Sequence, residues 1–157
     1  MELHYGFPNQ RATRDIDFGI RVNTWDEFAA MKSFLIRELE YAQYPRFPHR
    51  LRSCSGEIID LVPFGGIEEN HERRIRWPSA PEMEMNAFGF EEAYQQALYV
   101  SFADNLNIKV TSLAGLALMK LAAWRDRRLI KDAVDFLMIV RFYLDTDNLN
   151  RLYSESD

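Results

Sequence analysis

The sequence lacks the features that mark several large classes of protein. Cys54 is its single cysteine, which excludes an internal disulfide and a cysteine-rich zinc site. No apolar run approaches the roughly 18–20 residues that a membrane-spanning helix requires. The amino terminus has no basic segment followed by an apolar core, so no signal peptide is expected. These absences predict a cytoplasmic protein without a membrane partner.

The chain also has fewer positively than negatively charged residues. The chain carries 19 Lys and Arg against 24 Asp and Glu, which gives a net charge of −5. That balance argues against non-specific nucleic-acid binding as the main activity. With 157 residues, 47% of them hydrophobic, the chain is long enough for one globular domain with a helical appendage. We expect a sheet domain over residues 1–111 and a helical part over residues 112–157.

Hydrophobic periodicity and turn residues predict the order of the elements. Strands are expected at residues 15–22, 49–54, 57–62, 98–102 and 108–111, and helices at 25–40, 90–97, 113–124 and 129–144. Two prolines make residues 77–81 a predicted loop. The expected fold class is α/β (α+β), a mixed β-sheet flanked by helices with a helical carboxy-terminal part.

Two acids stand out in the first predicted strand. Asp15 and Asp17 alternate with Ile16 and Phe18, so they project from the same face with Cα atoms about 6.5 Å apart. Carboxylates at that separation repel one another unless a cation lies between them, and Mg²⁺ prefers such hard oxygen ligands. The alternative is that the solvent face of an edge strand carries two acids. The pair alone leaves both interpretations open.

A third acid occupies an unusual position. Asp60 lies within Ile58 to Val62, where every other residue is apolar, as in a strand covered on both faces. A carboxylate there is costly to bury unless it is paired or bound to a cation. Asp60 is therefore a candidate metal ligand. The alternative is that it lies at a strand end and pairs with Arg50 or Arg52.

A basic group follows near the carboxy terminus. On an unbroken helix Lys120, Trp124, Arg127 and Lys131 would fall within about 40° of one another, a strip that could face an anionic ligand. Lys131 and Asp135 have the spacing of a helical ion pair. The alternative is an ordinary solvated helix face. Lys120 fits that alternative least well, because its neighbours on both sides are apolar.

Taken in order, these motifs resemble those of the minimal nucleotidyltransferases of the AbiEii/AbiGii toxin type, in the DNA polymerase β-like superfamily. The resemblance extends from Arg11 to about Tyr143. The family's Arg-x-Ser/Thr-x-Asp-x-Asp motif corresponds to Arg11, Thr13, Asp15 and Asp17. Its later lysine corresponds to Lys120, and its last motif, Arg followed by Lys-Asp-x-x-Asp, corresponds to Arg127 or Arg128 with Lys131, Asp132 and Asp135.

The resemblance implies an activity and a set of roles. The activity is Mg²⁺-dependent transfer of a nucleoside monophosphate from a nucleoside triphosphate to a hydroxyl of RNA, protein or a small molecule, by a toxin with a separate antitoxin. Metal ligands would be Asp15, Asp17 and Asp60, compatible with a two-metal arrangement, with Asp60 activating the acceptor hydroxyl. Nucleotide-binding residues would be Arg11, Thr13, Lys120, Arg127 and Lys131; the further catalytic residues would be Lys120, Lys131 and Asp132.

One family motif is missing. A Gly-Gly or Gly-Ser turn, which opens a helix and receives the triphosphate on its backbone N–H groups, precedes the acidic strand in the family. Here Gly6 is not in that context. The chain is then a fragment, a shortened homologue, or a protein that has lost nucleotide binding. The alternative function is a catalytically inactive nucleotidyltransferase-fold remnant that serves as a binding or assembly module. The sequence also leaves open whether the protein is an oligomer.

Overall fold

The computed structural model describes residues 15–69, 72–103 and 105–143. These residues form a mixture of helices and strands, which confirms the predicted α/β (α+β) class. The strands are β1 (Asp15–Val22), β2 (Ala42–Gln43), β3 (Arg50–Arg52), β4 (Ile58–Gly65), β5 (Arg74–Trp77), β6 (Ala80–Asn86), β7 (Leu98–Ala103) and β8 (Leu106–Val110). The helices are α1 (Trp25–Glu38), α2 (Phe90–Gln95), α3 (Leu113–Arg127) and α4 (Ile130–Phe142).

The described chain separates into two compact units, one ending at Glu91 and the other beginning at Glu92. Compactness does not measure independent folding, so the expected domain boundary after residue 111 stays a prediction. None of the helices in the described ranges is long and apolar enough to span a membrane.

The first unit is built on a four-stranded mixed sheet in the order β1-β4-β3-β2. β1 runs parallel to β4, and β3 runs antiparallel to it. The centre of the unit is β4, where Leu61 and Phe64 are buried, together with Leu51 of β3. Within the described part of the chain β1 lies at the edge of this sheet. The strand that carries Asp15 and Asp17 is therefore supported by β4, its parallel neighbour.

The turn from β1 into α1 is fixed by the residues that the sequence indicates. The Thr24 hydroxyl accepts a hydrogen bond from the Glu27 N–H at 3.2 Å, as expected for the cap of α1. The Glu27 carboxylate reaches back to the Asn23 N–H at 2.7 Å. The reciprocal pair resembles a capping box, although the second bond falls one residue earlier than in the standard form. It fixes the chain where β1 ends.

The predicted loop at residues 77–81 was wrong, because these residues belong to a β-hairpin. Trp77 ends β5, and Ala80 begins β6. The residues of β5 alternate, with Ile75 and Trp77 buried while Arg74 and Arg76 form ion pairs with Glu84. Proline is tolerated in a two-stranded hairpin because each strand has an edge that needs no ladder hydrogen bond.

Gly66 allows the close approach that joins the ends of β1 and β4. Its N–H donates to the Val22 carbonyl at 2.8 Å, and a Cβ at this position would lie 2.5 Å from the Asn23 carbonyl oxygen.

We expect Gly66→Ala to lower the free energy of unfolding by about 1–3 kcal/mol, since the backbone at Gly66 and at Asn23 must move apart. Urea unfolding of the wild type and the variant measures this loss. Gly19→Ala is the matched control, because its Cβ would meet Phe64 at 3.4 Å. An equal loss in both variants would contradict the prediction.

The second unit contains the β7–β8 hairpin, α3 and α4. Ser112 caps α3 as expected, its hydroxyl accepting from the Gly115 N–H at 3.1 Å. Leu113 of α3 and Ile139 of α4 are the buried centre of the helix pair. The helices are separate because Arg128 adopts a left-handed conformation (φ 54°) that ends α3. The basic strip assumed an unbroken helix through Lys131, so that geometric argument does not apply to this chain.

Candidate functional site

Strand register brings the three predicted sheet acids to one face. Asp17 is paired with Asp60 in the parallel ladder between β1 and β4, so their side chains point to the same side. Asp15 shares that side because it lies two residues before Asp17. The antiparallel ladder pairs Asp60 with Arg50 of β3, which adds a cation to the same face. We call Asp15, Asp17, Asp60 and Arg50 the acidic face.

Arg50 joins two of the acids. Its Nε and Nη2 donate to the two Asp60 oxygens at 2.7 and 2.6 Å, and Nη2 also donates to Asp15 Oδ2 at 2.9 Å. The guanidinium lies 5.9 and 5.6 Å from the ring centroids of Tyr44 and Phe47. Hydrogen bonds to Asp60 are the main cause that raises the pKa of Arg50, so it stays charged. The pairing of Asp60 with Arg50, left open by the sequence, is present.

The two acids that Arg50 contacts differ in environment. The Asp60 side chain is 9% exposed and both of its oxygens accept from the guanidinium, whereas the Asp15 side chain is 37% exposed and one oxygen does so. A fork of two charge-assisted hydrogen bonds in a buried place is the stronger attachment. Arg50 is thus anchored on Asp60, and Nη2, one of the two nitrogens of that fork, also reaches Asp15.

The donor chemistry of the acidic face suits a divalent cation. Its acids offer the hard carboxylate oxygens that Mg²⁺ prefers, and the Arg50 guanidinium already places a positive charge between Asp15 and Asp60. In the described residues no group of three or more His, Cys, Asp or Glu side chains is arranged to hold a metal ion. The face thus offers a cation suitable charge and ligand type, but not a ready set of three ligands, because Arg50 contacts both oxygens of Asp60 in this arrangement.

A second charged group lies in the other unit, where α3 meets α4. Arg127 Nε and Nη2 donate to the two oxygens of Asp132 at 2.7 Å each, and Asp132 is fully buried. This hydrogen bonding holds the pKa of Asp132 below its usual value, and the charges of Lys120 and Lys131 act in the same direction. Lys120 donates to Asp135 at 2.7 Å. We call Lys120, Arg127, Asp132 and Asp135 the helix-joint cluster.

Comparison with known proteins decides the family. The family model described as "Nucleotidyl transferase AbiEii toxin, Type IV TA system" matches residues 1–156. The chain belongs to the AbiEii family. The resemblance seen in the sequence motifs is thereby confirmed, and the family is one of nucleotidyltransferase toxins of type IV toxin–antitoxin systems. A comparison with curated proteins finds no match.

The AbiEii motif residues can now be located. Asp15, Asp17 and Asp60 lie together on one face of the first unit. The residues matched to the later motifs lie in the second unit, on α3 and α4: Lys120, Arg127, Lys131, Asp132 and Asp135. Arg11 and Thr13 fall outside the described residues. The metal, catalytic and nucleotide-binding roles of all these residues stay predictions.

The arrangement adds one residue that the motifs of this AbiEii chain do not include. Arg50 entered the sequence argument as a neighbour that could neutralise Asp60, but its contact with Asp15 was not expected. The signal was present in part, since Arg50 and Arg52 alternate with Leu51 on a predicted strand and so share one face. What the sequence could not supply is the register that sets Arg50, and not Arg52, opposite Asp60.

Proposed function

We propose that this AbiEii protein is a Mg²⁺-dependent nucleotidyltransferase. It transfers a nucleoside monophosphate from a nucleoside triphosphate to a hydroxyl of RNA, protein or a small molecule, acts in the cytoplasm, and is counteracted by a separate antitoxin. The observation that carries the proposal is the gathering of Asp15, Asp17 and Asp60 on one sheet face, in a chain that matches the family over residues 1–156.

The residues divide the chemistry between them. Asp15 and Asp17 would hold Mg²⁺, which when bound offsets the negative charge of the triphosphate and of the transition state. The acceptor hydroxyl oxygen attacks the α-phosphorus, the bond from that phosphorus to the bridging oxygen breaks, and pyrophosphate leaves. Asp60 takes the hydroxyl proton as general base. Each Asp60 oxygen has a second lone pair, so Asp60 would accept this proton while Arg50 stays bound to it.

The basic residues of α3 and α4 are proposed to contact phosphates. Lys120 is ion-paired with Asp135 and 29% exposed, so it is accessible and its charge is held in place. Arg127 is bound to Asp132 through Nε and Nη2, which fixes its positive charge next to the first turn of α4. Lys131, at the start of α4, adds a further cation. These cations are suited to binding phosphate groups.

The test is a transfer assay with the purified full chain. The protein is incubated with Mg²⁺, each of four nucleoside triphosphates labelled at the α-phosphate, and total RNA or a protein extract. We expect label from at least one nucleotide to become attached to an acceptor, and EDTA to stop the reaction. No transfer with any nucleotide and acceptor, under conditions where the protein is folded, would contradict the proposal.

A second candidate is the inactive remnant, which serves as a binding or assembly module. It is favoured by the contact of Arg50 with both Asp15 and Asp60, since that contact already offsets one of the negative charges of the face. This candidate predicts that Mg²⁺ does not change the affinity for ATP in calorimetry. A clear Mg²⁺-dependent affinity would exclude it and support the enzyme.

A further inference from the structure

We propose that Arg50 is an internal counter-ion of the acidic face, whose guanidinium competes with the divalent cation for Asp15. In the structure Arg50 joins Asp15 to Asp60; when the cation binds, Asp15 leaves Arg50, which remains on Asp60. Arg50 is then a positioning residue that sets how tightly the metal is held. The inference rests on the proposed function, because it concerns the metal of that site.

The contacts of Arg50 indicate which of its hydrogen bonds breaks when a cation binds. Two hydrogen bonds, 2.7 and 2.6 Å long, fix the guanidinium to the buried Asp60, and the rings of Tyr44 and Phe47 flank it. A single bond of 2.9 Å joins it to the more exposed Asp15. Turning the more exposed Asp15 side chain away from Nη2 breaks this one bond and leaves the fork to Asp60 intact. Asp15 is therefore the acid that a cation can take.

Competition follows from charge and space. A cation bound to Asp15 Oδ2 would lie next to Nη2, which is 2.9 Å from that oxygen. The cation and the guanidinium would then contact the same oxygen, and two positive charges that share one ligand atom repel strongly where side chains are partly buried. Either Asp15 turns away from the guanidinium or the cation binds weakly. Removing the charge of Arg50 should consequently strengthen metal binding, whereas a merely structural residue would lower stability and leave the metal affinity unchanged.

The experiment is a titration of the full-length protein with Mn²⁺, followed by electron paramagnetic resonance and calorimetry without nucleotide. We expect Arg50→Gln to bind Mn²⁺ at least about tenfold more tightly than the wild type, the effect of one nearby charge. The matched control is Arg52→Gln, which removes the same charge from the same strand two residues away. It should stay within about twofold of the wild type. Equal tightening in both variants would overturn the proposal.

Thermal unfolding gives a second readout. Arg50→Gln leaves the buried Asp60 without its partner, so its melting temperature should fall, and Mn²⁺ should restore part of the loss because it replaces the missing cation. The wild type should gain less from Mn²⁺. If Arg50→Gln does not fold, Arg50→Lys carries the test: it keeps a charge but loses the fork, and it should bind Mn²⁺ about threefold more tightly.

The outcomes separate this inference from the proposed function. If the wild type binds Mn²⁺ and the folded Arg50 variants bind it no better, the counter-ion role is wrong and the metal site stands. If neither the wild type nor the Arg50 variants bind Mn²⁺, with or without ATP, the proposed metal function fails and the inference fails with it.

Discussion

Asp15→Asn and Asp17→Asn are each expected to reduce nucleotidyl transfer by about 100- to 1000-fold or more, the cost of removing one electrostatic stabiliser of a transition state. Asparagine keeps the size of aspartate but loses the negative charge and one anionic oxygen. The pair lies on one face of β1, so each acid contributes a ligand to the same cation in the proposed site. The rate of label transfer at saturating Mg²⁺ measures the effect.

The two variants should differ in a second property. Asp15→Asn also removes one of the two carboxylates that the Arg50 guanidinium contacts, so we expect it to change the free energy of unfolding as well as the activity. Glu82→Gln, which removes one negative charge from the exposed β6 hairpin, is the control and should keep full activity. If Asp17→Asn retains more than about a tenth of the wild-type rate while Glu82→Gln is unaffected, Asp17 is not a metal ligand.

Local patterns in the sequence predicted the elements that position the site. Alternation identified β1, and Thr24 and Ser112 marked the starts of α1 and α3, because these signals act between residues close in the chain. The same kind of signal was present in the missed hairpin, where Ile75 and Trp77 alternate with arginines. The two prolines outweighed it, although one lies in the turn and the other in an edge position of β6.

The site was predicted as a set of residues but not as an arrangement. Asp60 was singled out because an acid in an apolar strand needs a partner, and the sequence offered two: a cation or a nearby arginine. Choosing between Arg50 and Arg52 requires the register of β3 on β4, which depends on packing across the sheet. The contact from Arg50 to Asp15 spans 35 residues of sequence and has no local signal.

In the second unit, Arg127→Ala is expected to lower the free energy of unfolding by about 1–3 kcal/mol at pH 7, the cost of leaving a buried acceptor without its donor when that donor, Arg127, is itself half exposed. Both oxygens of the fully buried Asp132 accept from Arg127, so the variant leaves a desolvated carboxylate without its main donor. Arg125→Ala is the matched control, since it removes the same charge from the same last turn of α3. Urea unfolding of both variants gives the comparison, and similar losses would contradict the prediction.

The pH dependence tests the same pair with a definite sign. Arg127 holds the pKa of Asp132 below its ordinary value of 3.8, so the stability from this pair is fully present above that pH and is lost as pH falls toward the lowered pKa of the folded state. In Arg127→Ala the burial of Asp132 favours the protonated acid, and acidification relieves the defect. The difference in free energy between wild type and variant should therefore be largest near neutral pH, begin to shrink as pH falls through the raised pKa of Asp132 in the variant, and go on shrinking below 3.8. Adding Asp132→Asn to Arg127→Ala removes the unpaired charge and should recover part of the lost stability at pH 7. If the free-energy difference between wild type and Arg127→Ala does not depend on pH, or if the double variant is less stable than Arg127→Ala, the ion pair is not the cause.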